Sequence, residues 1–101
     1  MKTIRPCVRI HYSPRSQRDL LGIRNFIETE SGSAQLAGAY IARLLDACDA
    51  LHILPERYPP YPHGTDWRMM PFENYLIFFK VRFDEVLIGH IRQAARKPFA
   101  G

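Results

Sequence analysis

Cysteine is scarce in this chain: Cys7 and Cys48 are the only two among 101 residues, and they form no CxxC motif. That usage excludes a disulfide-rich secreted scaffold and a cysteine-based zinc site. Residues 1–9 contain basic side chains but no apolar h-region, and no apolar run approaches the length of a membrane span. We therefore expect a cytoplasmic protein without a signal peptide or membrane segment, in which both cysteines are buried and reduced.

Metal-ligand patterns, internal repeats and low-complexity tracts are also missing from the sequence. The four histidines are scattered without ligand spacing, and Asp19, Glu28 and Glu30 form no recognisable pair of catalytic carboxylates. We therefore expect no metal and no cofactor. What is present is an ordinary globular composition, 47% apolar and 24% charged, that suits one domain over residues 1–101. The net charge of +4 favours an acidic partner.

The central feature of the sequence is residues 75–83, which alternate as a long β-strand does. One face would be apolar and covered by other elements, and it carries Tyr75, Ile77, Phe79, Val81 and Phe83. The other face turns basic toward its end, and it carries Leu76, Phe78, Lys80 and Arg82. We expect this second face to meet a partner.

Two amphipathic helices precede the central strand. Ser13 suits the N-cap of a helix over about residues 14–29. Gly32 suits a left-handed helix end, and Ser33 suits the N-cap of a second helix over about residues 34–54. So short a break predicts an antiparallel helical hairpin.

Shorter strands complete the predicted sheet. A first strand is expected at about residues 5–12, a short one at 67–72, and a last one at 86–92, with a stiff proline-rich loop over 55–65. The predicted fold is α+β: an N-terminal strand, then an antiparallel two-helix hairpin packed on one face of a three- to four-stranded antiparallel sheet.

The pairing of the last two strands decides which face carries His90. A tight turn at residues 84–85 would place Val81 opposite Ile88 and Phe79 opposite His90. His90 would then be a core histidine on the covered face rather than a general base.

Three segments carry a family resemblance that spans nearly the whole chain. They read SPRSQRDLLGIRNFIETESG, WRMMPFENYLIFFKV and EVLIGHIRQAARK. In order, spacing and length they resemble the first helix, the Arg-x-x-Pro and central-strand signature, and the closing strand and basic end of the RelE/ParE toxin superfamily, the ParE-like branch in particular.

The resemblance implies the toxin of a type II toxin–antitoxin pair, neutralised by an antitoxin that an adjacent gene encodes. ParE-like toxins inhibit DNA gyrase by binding, and their antitoxins are ParD-like. Nucleic acid would be met only indirectly, through the antitoxin complex. An inactive member that only binds antitoxin or DNA is a further alternative.

RelE-like toxins instead cleave mRNA in the ribosome, and the sequence tells against that alternative. The nuclease branch uses an arginine beside the central-strand tyrosine and a tyrosine near the C-terminus. Here Leu76 occupies the arginine position, and no tyrosine follows Tyr75. Because Leu76 cannot hold a phosphate charge, we expect binding rather than catalysis, with no catalytic residues.

Two sets of site residues follow from these expectations. The predicted target-binding set consists of cations, and its members are Arg68, Lys80, Arg82, Arg92 and Arg96. The predicted antitoxin-binding set is apolar, because the helical hairpin can cover only one sheet face, and its members are Trp67, Met69, Met70, Leu76, Phe78 and Phe99.

Overall fold

The computed structural model of the protein describes residues 9–61 and 65–94. In chain order the elements are β1 (Arg9–Tyr12), α1 (Pro14–Ser31), α2 (Ala34–Asp49), β2 (Arg68–Phe72), β3 (Tyr75–Arg82) and β4 (Glu85–Gln93), with 3₁₀ turns at Ala50–His52 and Pro55–Arg57. The predicted start of the first strand, before Arg9, lies outside the described residues.

The helices begin and end where their capping residues predict. The Ser13 hydroxyl accepts a hydrogen bond from the N–H of Ser16 at 3.0 Å, and the Ser33 hydroxyl accepts one from Leu36 at 3.0 Å. Gly32 ends α1 in the left-handed conformation, at φ 72°. The second helix is shorter than predicted, because its last turn tightens into 3₁₀ geometry after Asp49.

The sheet has four strands in the order β1-β4-β3-β2. The predicted α+β fold, with a helical hairpin on one sheet face, is confirmed. The antiparallel expectation holds for β2, β3 and β4 but is wrong for β1, which pairs in parallel with β4 from Arg9–Glu85 to Tyr12–Ile88. Parallel neighbours need a long crossover connection, and the helical hairpin begins one.

The core lies between the helices and one face of the sheet. Tyr75, Ile77 and Phe79 of β3 are all buried on this face, as their alternation predicts. They pack in one cluster with residues of both helices, among them Ile23 and Leu44. We call this the covered face of the sheet and its reverse the open face.

The turn between β3 and β4 lies one residue earlier than predicted. Arg82 pairs with Glu85, so the turn residues are Phe83 and Asp84. Phe83 adopts φ 51° and is fully exposed, so its predicted place on the covered face is wrong. The tight turn requires a positive φ at this position. Because a bulky phenylalanine stands there instead of glycine or asparagine, the backbone is strained.

A β-bulge at Gly89 moves His90 to the open face. Phe79 pairs with Ile88, but Phe78 pairs with His90, so Gly89 is the extra residue in β4. The predicted pairing of Phe79 with His90 is therefore wrong. So is the predicted placement of His90 in the core: beyond the bulge the alternation of β4 is reversed, and Ile91 points into the core instead.

Candidate binding face

The open face combines an apolar floor with cationic edges. Leu76, Phe78 and Lys80 alternate along β3 and are each half-buried. The β4 residues opposite Leu76 and Phe78 are Arg92 and His90. The helices cover the opposite side of the sheet, and α1 reaches this side with Arg15 and Asp19. These groups are therefore the surface that the fold offers to a partner.

An open pocket of about 420 Å³ lies on this face, and aromatic rings form most of its wall. Phe78 and His90 stack at 5.8 Å between ring centroids, with 21° between their planes. Tyr61 adds a third ring, 5.5 Å from Phe78 and tilted by 49°. Tyr61 is held there because its N–H donates to the carbonyl of Trp67. We call this site the aromatic pocket.

Trp67 completes the wall by lying directly on Gly89. A Cβ atom built at Gly89 would stand 2.4 Å from Cη2 of the Trp67 ring and 2.5 Å from Cζ3. Only a glycine leaves room for this contact, so the bulge residue both turns His90 outward and seats the indole. The pocket geometry thus depends on one residue without a side chain.

Asp19 of α1 fixes the orientation of His90. One carboxylate oxygen, Oδ2, lies 3.0 Å from Nδ1 of His90 and accepts the N–H of Ile91 at 2.9 Å. β1 pairs with β4 only as far as Ile88, so the N–H of Ile91 has no partner on β1. The carboxylate of Asp19 accepts this N–H and also holds the imidazole ring. Within the described residues, Nε2 of His90 makes no hydrogen bond or ion pair. That nitrogen is free to donate to or accept from a ligand.

Two cations of this face, Lys80 and Arg92, lie against aromatic rings, and neither forms an ion pair with another described residue. Lys80 Nζ lies 4.5 Å from the centroid of the Trp67 ring, and Arg92 Cζ lies 5.5 Å from that of Phe78. Such cation–π contacts keep the positive charge over the aromatic floor. Arg15, from the first turn of α1, also lines the aromatic pocket. The pocket is therefore cationic as well as aromatic.

Arg82 lies in a separate, smaller hollow at the turn end of the face. It is exposed and shares this hollow of about 260 Å³ with His11, Lys80, Glu85 and Leu87. The carboxylate of Glu85 is paired with Arg9 at 2.9 Å. Of the predicted target-binding set, Lys80, Arg82 and Arg92 thus occupy one continuous face.

Arg68 does not belong to this face. It pairs with Phe79 on the covered side of β2, and its guanidinium donates to the carbonyls of Tyr58 at 2.6 Å and Glu56 at 3.3 Å. These bonds fasten the loop that follows α2 to the sheet edge. The geometry gives Arg68 a structural role in positioning that loop.

The predicted antitoxin-binding residues divide between the two faces. Met69 pairs with Phe78 and Trp67 covers Gly89, so both stand with the open face, as Leu76 and Phe78 do. Met70 pairs with Ile77 and is only 5% exposed, so its predicted place on the open face is wrong. The predicted site residues Arg96 and Phe99 lie outside the described residues.

Sequence reasoning missed three residues that line the pocket, Arg15, Tyr61 and Gly89, and also Asp19, which holds His90 in place. A signal for Gly89 was present, since the buried residues Val86, Ile88 and Ile91 break the period of two across it. A glycine at such a break indicates a bulge. The other three come from α1 and the proline-rich loop, and no local pattern predicts that they meet β4.

Two findings on the described residues bear on other classes of site. No group of three or more histidine, cysteine, aspartate or glutamate side chains within residues 9–61 and 65–94 could hold a metal ion. No helix in this part of the chain is long and apolar enough to cross a membrane.

Comparison with known structures finds the same fold in a toxin–antitoxin system. A chain from the structure titled "Chromosomal ParDE TA system from P. aeruginosa" is similar with a TM-score of 0.76 and 15% sequence identity, over 88% of this chain and 98% of that one. At this identity the likeness is one of fold. No curated protein matches the sequence significantly.

The similarity to a protein family is more specific. Residues 10–98 match the family described as ParE toxin of type II toxin–antitoxin system, parDE. The match runs from β1, through the helical hairpin and the whole sheet, to beyond β4. The resemblance seen in the sequence is thereby confirmed, and the chain belongs to the ParE toxin family.

Proposed function

We propose that this protein arrests growth by binding DNA gyrase in the cytoplasm, and that a ParD-like antitoxin encoded by an adjacent gene neutralises it. The observation that carries the proposal is the open face of the sheet, which unites an aromatic floor with Lys80, Arg82 and Arg92 on a chain of the ParE family. Exposed cations of this kind steer an acidic partner toward the apolar patch that holds it.

The aliphatic residue at the centre of the open face supports inhibition by binding rather than by cleavage. Leu76 stands on β3 directly opposite Arg92 and is half-buried. A phosphoryl-transfer site needs a charged or hydrogen-bonding group near the scissile phosphate, and an aliphatic side chain there supplies neither.

The antitoxin is proposed to cover the same face. Trp67, Met69, Leu76 and Phe78 give an apolar strip that a folding-upon-binding segment can bury. The cations beside it favour a segment rich in aspartate and glutamate. Neutralisation then follows from competition, since target and antitoxin would need the same groups.

A ribosome-dependent mRNA endonuclease is the second candidate, and the Asp19–His90 pair favours it. Asp19 holds Nδ1 of the imidazole, which leaves Nε2 for proton transfer in a pocket that also contains Arg15 and Arg92. This arrangement would replace the missing arginine and tyrosine of the nuclease branch with a different set of groups.

Induced expression in bacteria with two readouts separates the candidates. We expect growth arrest with altered plasmid supercoiling, intact mRNA, and inhibition of purified gyrase by the purified protein. Charge reversal in the double variant Lys80→Glu/Arg92→Glu should weaken inhibition at least about tenfold, since two favourable charge contacts become repulsive. The matched control is Arg24→Glu, an exposed arginine on α1, which should leave inhibition unchanged.

Other outcomes would redirect the proposal. Fragmented mRNA with normal supercoiling would select the endonuclease and contradict gyrase inhibition. An absence of growth arrest, with a folded protein that still binds its antitoxin, would select the inactive alternative. Equal inhibition by the double variant and the wild type would remove the open face from target binding.

A further inference from the structure

The aromatic pocket has the composition of a stacking site. Three ring systems, Tyr61, Phe78 and His90, lie within 6 Å of a neighbouring ring, and Trp67 closes one side. Its volume of about 420 Å³ falls in the range of roughly 300–1,000 Å³ that is typical of small-ligand sites. A planar, aromatic ligand group would match these walls best.

The charge of the pocket selects for an anion attached to that planar group. Arg15 and Arg92 both line the pocket. The carboxylate of Asp19 is engaged with His90 and the Ile91 N–H, and among the described residues it makes no ion pair with either guanidinium group. The guanidinium of Arg92 lies over the Phe78 ring and pairs with no carboxylate in the described part of the chain, so its N–H groups are available to a ligand.

We propose that this pocket binds a nucleotide, with the base stacked among Trp67, Phe78 and Tyr61 and the phosphate held by Arg15 and Arg92. Aromatic side chains on an open sheet face, flanked by arginine and lysine, are the recurring platform for single-stranded nucleic acid. The free Nε2 of His90 adds one hydrogen bond at the pocket wall. The ligand is either a free nucleotide or one unit of a single strand, which share this chemistry.

The walls of the pocket favour a nucleotide over an acidic peptide. An acidic peptide would satisfy the two guanidinium groups but would offer no planar group to the aromatic wall of the pocket. The base of a nucleotide supplies a flat π-surface that can pack against this wall, and the phosphate of the nucleotide supplies two or three acceptor oxygens. The inference concerns the pocket alone and does not require the proposed inhibition of gyrase.

Trp67 makes the test direct, because it is the only tryptophan in the 101 residues and it forms the pocket wall. Its fluorescence in the purified full-length protein is followed while adenosine monophosphate or uridine monophosphate is added. We expect saturable quenching by both. Adenosine and inorganic phosphate, each lacking half of the ligand, should bind at least about tenfold more weakly, since each forfeits one of the two kinds of contact.

Two variants and one control assign the site. Phe78→Leu removes a stacking surface and should weaken nucleotide binding about tenfold, and Arg92→Gln should do so by a similar factor. The control Arg24→Gln removes an exposed arginine of α1 outside the pocket and should bind as the wild type does. Circular dichroism confirms that each variant is folded.

Two further arms identify the source of the nucleotide. A six-nucleotide single strand of RNA that binds at least about tenfold more tightly than the mononucleotide indicates a nucleic-acid strand, and equal affinity indicates a free nucleotide. Quenching by a glutamate-rich peptide but by no nucleotide would overturn the proposal in favour of a protein ligand. So would nucleotide binding that is equally strong in Phe78→Leu, Arg92→Gln and Arg24→Gln.

Discussion

The two faces of β3 differ in environment although they alternate residue by residue. Ile77 and Phe79 are fully buried beneath the helices, while Leu76 and Phe78, which alternate with them, stand half-exposed on the open face. Both pairs consist of one aliphatic and one aromatic residue. Side-chain chemistry therefore does not decide which face is core; the position of the helical hairpin does.

The faces also differ in how polar groups are used. On the covered side, the guanidinium of Arg68 donates hydrogen bonds to the carbonyls of Glu56 and Tyr58 and so stabilises the loop after α2. On the open side, Lys80 and Arg92 lie over aromatic rings and stay accessible. Residues of the same charge thus hold backbone in place on one face and stay available on the other, where we propose that they bind a partner.

Placing a charged side chain on the covered face should give the largest change in the free energy of unfolding. Ile77→Asp places an unpaired charge in the core, which should cost roughly 4 kcal/mol or more, a large part of the 5–15 kcal/mol that stabilises a typical domain. Leu76→Asp, one residue along and beside Arg92, should change the free energy of unfolding by less than about 1 kcal/mol. Urea unfolding followed by circular dichroism measures both, and a cooperative, soluble Ile77→Asp variant would show that the faces are reversed.

The bulge that shapes the open face offers the next test. Gly89→Ala forces its new methyl group into the Trp67 ring, so we expect a loss of about 1–3 kcal/mol together with a shift in tryptophan emission. In Gly22→Ala the added Cβ meets nothing within 4 Å outside the backbone of its own helix, so the protein should gain up to about 1 kcal/mol of stability without an emission change. Unchanged stability and emission in Gly89→Ala would refute the packing described for Trp67.

Arginines on opposite faces should respond differently to truncation. Arg68→Ala leaves the carbonyls of Tyr58 and Glu56 without their donor and should cost about 1–2 kcal/mol. Arg82→Ala, at an exposed position of the open face, should stay within about 0.5 kcal/mol. Thermal unfolding of the two variants compares them, and an equal loss in both would remove the structural role of Arg68.

Alkaline pH probes the covered side, where burial raises the pKa of the Cys48 thiol from 9.0 to about 12. The unfolded thiol releases its proton first, so stability is complete below about pH 9 and is lost as the pH rises toward 12. At pH 10 we expect a loss of about 1 kcal/mol from this group. Burial raises the pKa of the neighbouring Tyr12 hydroxyl as well, which extends the loss to higher pH.

Urea unfolding at pH 8 and pH 10 measures this loss. The variant Cys48→Ala should show a smaller decline between the two pH values than the wild type, even though it is less stable at both. Equal declines in the two proteins would mean that the Cys48 thiol ionises as readily in the folded protein as in the unfolded one.

Features that depend on neighbouring residues in the chain were predictable. Ser13, Gly32 and Ser33 could be identified as helix caps because their capping bonds are to backbone within four residues. The apolar alternation of Tyr75, Ile77 and Phe79 likewise identified the covered face. For these features the sequence alone was sufficient, since the interactions are local or follow the pleat of a single strand.

Features that depend on distant residues were decided only by the tertiary structure. The parallel pairing of β1, the contact of Trp67 with Gly89, and the Asp19–His90 pair join parts of the chain separated by 20 residues or more. The position of His90 followed from a bulge that shifts the register by one residue, and one such shift reverses every side chain beyond it. The local pattern thus specified the core, whereas long-range packing assembled the aromatic pocket, because its rings and charges come from segments whose alignment no single segment encodes.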